Sequence, residues 1–100
     1  MEAEFDDHQD LDRLETDPQF TAGFDRGTVK GFRKVMQAIR AAPDERDFYA
    51  MRSLRFEKLK GQRSHQHSFR VTLKWRLIVE FEGKGPNKIM KIKGIEDYHD

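Results

Sequence analysis

The sequence predicts an α+β fold, with helices first and an antiparallel sheet after them. Two observations carry this. Before about residue 51 the apolar residues recur at helical spacing, and from Leu54 onward the period drops to two. Turn residues at Gly61 and in GKGPN (83–87) then divide the strand-like stretch into separate runs.

Each element has its own signal. EAEFDD (2–7) reads as a short edge strand or a disordered tip. LDRLE (11–15) spaces Leu11 and Leu14 for a turn or two of helix, and Pro18 with TAGFDRG (21–27) breaks it. The clearest helix lies in DRGTVKGFRKVMQAIRAAP (25–43), where Val29, Phe32, Val35, Met36 and Ile39 fall on one face. Asp25 or Thr28 caps its start and Pro43 stops it. DERDFYAM (44–51) reads as a second short helix. RFEKL (55–59) is the first candidate strand of the second half. HSFRVTL (67–73) puts Phe69, Val71 and Leu73 on one face, and WRLIVEFE (75–82) turns Trp75, Leu77, Val79 and Phe81 inward. KIMKIKGI (88–95) places Met90 and Ile92 opposite Lys91 and Lys93, and Gly94 interrupts the alternation as a bulge would.

One domain over residues 1–100 accounts for the length. Aromatic residues at 11% argue against disorder despite 37% charged residues. The chain has no cysteine, which excludes disulfides and thiolate chemistry. No apolar run is long enough for a membrane span, and the acidic start MEAEFDDHQD is no secretory signal, so the expected location is the cytoplasm. The net charge of +1 hides a split: residues 1–50 carry 7 Lys/Arg against 12 Asp/Glu, and residues 51–100 carry 12 against 6. Residues 51–76 hold 8 basic residues and one acid, Glu57, the footprint of a polyanion-binding surface. Residues 1–17 hold 8 acids and one base. Two readings of the split stand: a basic functional face, or halves that neutralise each other on folding. Residues 1–10 are expected to form a mobile acidic tail, with a contact across the basic face as the alternative.

Register gives the most useful inference. Phe69 and Val71 share the core face with Trp75 and Leu77 only if 71 pairs with 75 and 69 with 77, across an odd-length loop centred on Leu73. Arg70 then lies directly opposite Arg76 on the outward face. Like charges so placed destabilise a sheet. Such a violation of a local rule marks a functional site unless Glu80 or Glu96 relieves the pair.

Lys60, before the Gly61 turn, joins Arg70 and Arg76 as cations suited to a phosphate and its developing charge. Tyr98 and His99, behind the last strand, suit proton transfer. Such a set is able to cleave RNA by in-line attack of the 2′-OH on its own phosphate, with no metal and no cofactor. Other constellations are weaker. His65-x-His67 lacks a third metal ligand and reads as a solvated polar turn. Glu80 and Glu82 share an exposed strand face, Gly83, Gly85 and Gly94 have no phosphate-loop spacing, and Trp75 reads as packing.

At these residues the sequence resembles the RelE/ParE superfamily of toxins, and within it the HigB-like plasmid maintenance killer proteins. The shared pattern is Leu59-Lys60-Gly61, the serine-containing strand from Ser68 to Arg70, Trp75-Arg76, and Asp97-Tyr98-His99, in order over roughly residues 25–99. The resemblance implies helices on a curved antiparallel sheet, and a toxin that cuts mRNA in the ribosomal A site. It implies a helix-turn-helix antitoxin of the HigA kind as partner, with the 70S ribosome and mRNA as targets. By position, Lys60, Arg70 and Arg76 hold the scissile phosphate, and Tyr98 and His99 act as acid/base or positioning groups. Several relatives carry histidine where Glu57 stands, which leaves Glu57, Tyr98 and His99 as alternatives for the general base. Arg52, Arg55, Lys58, Arg63 and Lys74 are the expected ribosome- or RNA-binding cations. Two alternatives stay open: a non-catalytic toxin binding DNA gyrase, as in the ParE branch, and a plain RNA-binding module.

Overall fold

The protein is described by a computed structural model over residues 1–98. Strand β1 (Ala3–Phe5) precedes helices α1 (Leu11–Thr16), α2 (Arg26–Ala41) and α3 (Arg46–Ala50). Four strands follow: β2 (Glu57–Lys58), β3 (Gln66–Arg70), β4 (Trp75–Glu82) and β5 (Ile89–Asp97). The five strands form one sheet in the order β1-β5-β4-β3-β2. This is the α+β layout read from the sequence, with one correction. The sheet is mixed, because β1 pairs parallel to β5 while the other neighbours are antiparallel.

Helix α2 forms where its apolar stripe predicts. The Asp25 side chain accepts a hydrogen bond from Thr28 N–H at 2.7 Å, so Asp25 is the cap and satisfies one of the helix's orphan donors. Val29, Phe32, Val35, Met36 and Ile39 are all buried against the sheet, joined by Leu11 and Leu14 of α1 and Phe48 of α3. The sheet contributes Phe69, Leu77, Val79, Met90 and Ile92. Each such side chain stabilises by about 1.5–3 kcal/mol relative to exposure. Gly31 lets α2 lie on the end of β3. A Cβ there would come within 2.3 Å of the Val71 carbonyl oxygen.

The N-terminus is not a free tail. Glu4 and Asp6, in and just after β1, pair with Lys91 (2.6 Å) and Lys93 of β5, and the Met1 amino group donates to carbonyls at the end of α2. Glu4 and Asp6 therefore meet the lysines of the last strand, and Asp7 accepts from the N–H groups of Gln9 and Leu11. The β3–β4 register is the expected one, Phe69 with Leu77 and Arg70 with Arg76. Three local readings are corrected. Strand β3 stops at Arg70, and Leu73 is 82% exposed at the turn instead of sharing the core face. The cause is the turn itself: the Thr72 hydroxyl accepts from the N–H groups of Lys74 and Trp75, which fixes a tight loop. Strand β2 is two residues long, with Phe56 buried just before it. His67 sits within β3 and stacks on Phe56 at 5.0 Å, not in a solvated turn. Burial lowers its affinity for a proton against the pull of Glu45, and Lys58 and Lys88 lower it further.

A bulge occurs at Gly94, where the pairing with β4 shifts between Ile78 and Val79. The Gln9 amide accepts from Ile95 N–H (2.7 Å) and donates to Ile95 C=O (3.0 Å), pinning the bulge. The extra residue re-phases the strand. Ile92 and Ile95, three apart, both face the core, and Glu96 lands opposite Arg76 on the other face.

Candidate active site

The sheet face turned away from the helices carries the candidate site. Alternation places Ser68 and Arg70 of β3, Arg76 and Ile78 of β4, and Glu96 of β5 there. Glu57 of β2 pairs with Ser68 and so shares this face. Across the strands, Arg70, Arg76 and Glu96 stand in one row.

Arg76 is 14% exposed. Its Nη2 donates to Glu96 Oε1 at 2.8 Å and its Nε at 3.2 Å. Arg63, from the turn Gly61–Arg63 that follows Lys60, donates to the same oxygen at 2.7 Å. Burial alone would push the Glu96 carboxyl up, but the hydrogen bonds and charges of the two arginines outweigh it and hold it below the usual carboxylate value. Glu96 is thus one of the two relieving acids named from the sequence. The other, Glu80, accepts from Gln66 at 2.8 Å and lies 3.6 Å from His65.

Arg70 receives no such relief among the described residues. Its Nε is buried with no hydrogen-bond partner there, as are Ser68 Oγ and Tyr98 Oη. Buried polar atoms are normally satisfied, and exceptions cluster where a ligand or water completes the set. Tyr98 follows β5 directly. Its N–H donates to Lys74 C=O at 3.0 Å, and its ring lies 5.5 Å from the Arg76 guanidinium. Arg76 thus stands between a cross-strand pairing with Arg70 and a ring contact with Tyr98. His99 lies outside the described residues. Lys60 is exposed at the rim, in the same connection as Arg63.

The expected RNA-binding cations divide. Arg52, Arg55 and Lys58 are exposed along the connection from α3 through β2, and Lys74 stands at the hairpin turn with its ammonium 5.0 Å from the Trp75 ring. Arg63 is instead part of the Glu96 cluster, with its Nε also on Gln66 Oε1 at 2.8 Å. Sequence reasoning missed this clamp, because Arg63 and Glu96 are far apart in the chain. The one available signal was the Gly94 interruption, which decides which face Glu96 takes. A cleft of about 380 Å³ opens beside the clamp, lined by Arg63, Gln66, Ile78, Lys93, Gly94 and Glu96 among others.

The architecture, helices on one face of a five-stranded mixed sheet, is a known α+β class. It is similar to the solved structure of a YoeB/ParE toxin from Agrobacterium tumefaciens, with a TM-score of 0.59 and 17% sequence identity, covering 98% of this chain and 99% of that chain. No family model matches the sequence, and no curated protein does.

Proposed function

We propose that this chain is the toxin of a bacterial type II toxin–antitoxin system, and that it cleaves mRNA in the ribosomal A site. The observation that carries the reading is the cross-strand Arg70–Arg76 pair on the sheet face away from the helices, with Arg70 Nε and Tyr98 Oη unpartnered among the described residues. Two arginines on directly opposed strand positions suit a phosphate that gains charge as the 2′-oxygen attacks. Tyr98, its ring 5.5 Å from the Arg76 guanidinium, would hand a proton to or from the reacting oxygens, and Glu57 and His99 are the other candidates for the base. Lys60 adds a cation at the rim. A site this sparse in strong acid/base groups gains most from a substrate already held in place, which a ribosome provides. Arg52, Arg55, Lys58 and Lys74 would meet ribosomal RNA, with salt-sensitive affinity. The partner that neutralises the protein would be a helix-turn-helix antitoxin of the HigA kind.

The test is primer extension on an mRNA translated in a reconstituted bacterial system, with wild-type protein and His99→Ala side by side. The expected result is cutting at A-site codons, lost when ribosomes are omitted. Cutting by both proteins moves the acid/base role to Tyr98 or Glu57. No cutting by either overturns the nuclease reading and favours a gyrase-binding toxin, which a supercoiling assay with purified gyrase then checks.

A further inference from the structure

Glu96 lies across Arg76 from Arg70 and already occupies the Arg76 guanidinium. On the nuclease reading, on which this inference rests, a phosphate enters beside Arg70 and Arg76. Yet one oxygen of Glu96 already takes three N–H donors from Arg76 and Arg63. We infer that Glu96 is a positioning residue that acts through Arg63 and Arg76, its carboxylate holding their guanidiniums until a nucleic-acid phosphate takes its place.

Three features carry this. The row Arg70, Arg76, Glu96 spans adjacent strands, so a phosphate on the two arginines lies about one strand spacing from the carboxylate. Two anions that close repel, and they compete for the donors of Arg76. Glu96 is able to leave: its side chain is 28% exposed and borders the cleft, whose wall includes Lys93. Finally, all three donors converge on Oε1, whereas a phosphate offers oxygens in several directions. It is the better ligand for two guanidiniums that approach from different elements.

The arrangement has a further consequence. Arg63 belongs to the turn that follows Lys60, and Arg63, Gln66 and Glu80 form a chain of hydrogen bonds across it. Glu96 therefore fastens the Lys60 connection to the sheet in the free protein. Displacing it leaves Arg63 held by Gln66, with its Nη1 donor available to the phosphate. Any RNA must first outcompete an internal carboxylate, which weakens binding to stray polyanions and favours RNA that is already positioned.

The experiment measures binding of a fluorescent 2′-O-methyl RNA oligonucleotide, which lacks the attacking hydroxyl, at low salt and across a salt series. Glu96→Gln is expected to bind on the order of tenfold tighter than wild type. Its log K against log salt slope should stay close to that of wild type, because a phosphate occupies the two arginines in both complexes. On programmed ribosomes KM should fall with kcat little changed. Glu96→Asp, which keeps the charge on a shorter arm, should fall between, and it serves if the glutamine variant fails to fold. Equal or weaker RNA binding by a folded Glu96→Gln, in a protein whose binding Arg70→Ala still weakens, overturns the inference alone. Absence of RNA binding by wild type and both variants overturns the nuclease reading together with it.

Discussion

The two ends of the open sheet face treat charge in opposite ways. Toward β1, each lysine of β5 meets an acid: Lys91 reaches Glu4 at 2.6 Å and Glu82 at 3.7 Å, and Lys93 reaches Asp6. Hydrogen bonds to those acids raise the proton affinity of both lysines. Toward the β3–β4 hairpin, Arg70 faces Arg76, Glu96 serves Arg76 and Arg63 together, and Arg70 Nε stays buried without a partner among the described residues. The same sheet thus gives each β5 lysine its own acid at one end, and at the other makes two arginines share one acid and leaves Arg70 Nε unpartnered among the described residues. Unmatched buried donors cost stability, and they persist where something outside the chain completes them.

The sharpest way to break this contrast is Arg70→Ala. A-site cutting, read by primer extension, should fall by about 100-fold or more, with a melting temperature near that of wild type. A large loss of stability with activity preserved per folded molecule would make Arg70 part of the scaffold. The scaffold beneath the same end is tested by Gly31→Ala. The new methyl meets the Val71 carbonyl at 2.3 Å, and urea unfolding should show a loss of about 1–3 kcal/mol, from forced separation of α2 and β3. A gain would mean that α2 shifts freely there.

Tyr98→Phe separates stability from activity. It removes a buried hydroxyl that has no partner among the described residues, so stability should hold or rise, while cutting falls by about 10-fold or more. Loss of both together would point to a structural tyrosine. The smallest effect belongs to the matched end. Lys91→Ala breaks surface pairs with Glu4 and Glu82 and should leave the melting temperature close to that of wild type, with cutting unchanged. A drop in activity there would erase the distinction between the two ends.

Much of this was legible in the chain. The stripe Val29–Phe32–Val35–Met36–Ile39 gives α2, and the alternation around Phe69 and Leu77 gives the hairpin register and hence the Arg70–Arg76 opposition. The site's cations were legible as residues, but their partners were not. Arg63 reads as one more basic residue in a basic stretch until the turn after Lys60 folds back over β5. The parallel docking of β1 was hidden as well, because three residues, AEF, carry too little pattern to tell a strand from a tail. Leu73 misled because it continues the alternation of β3, whereas the Thr72 hydroxyl closes the turn before it.

By itself the sequence determined the periodic parts of the molecule: which residues of α2, β3, β4 and β5 face inward, and that an odd loop sets two arginines opposite each other. Those choices depend on residues a few positions apart, and burial of one face enforces them. Only the tertiary structure decided what meets what across the chain. It brought Glu4 and Asp6 to the lysines of β5, and Gln9 to the bulge at Gly94. Through that bulge it turned Glu96 toward Arg76 and Arg63. Pairings of that kind join segments distant in sequence, and no local period encodes them.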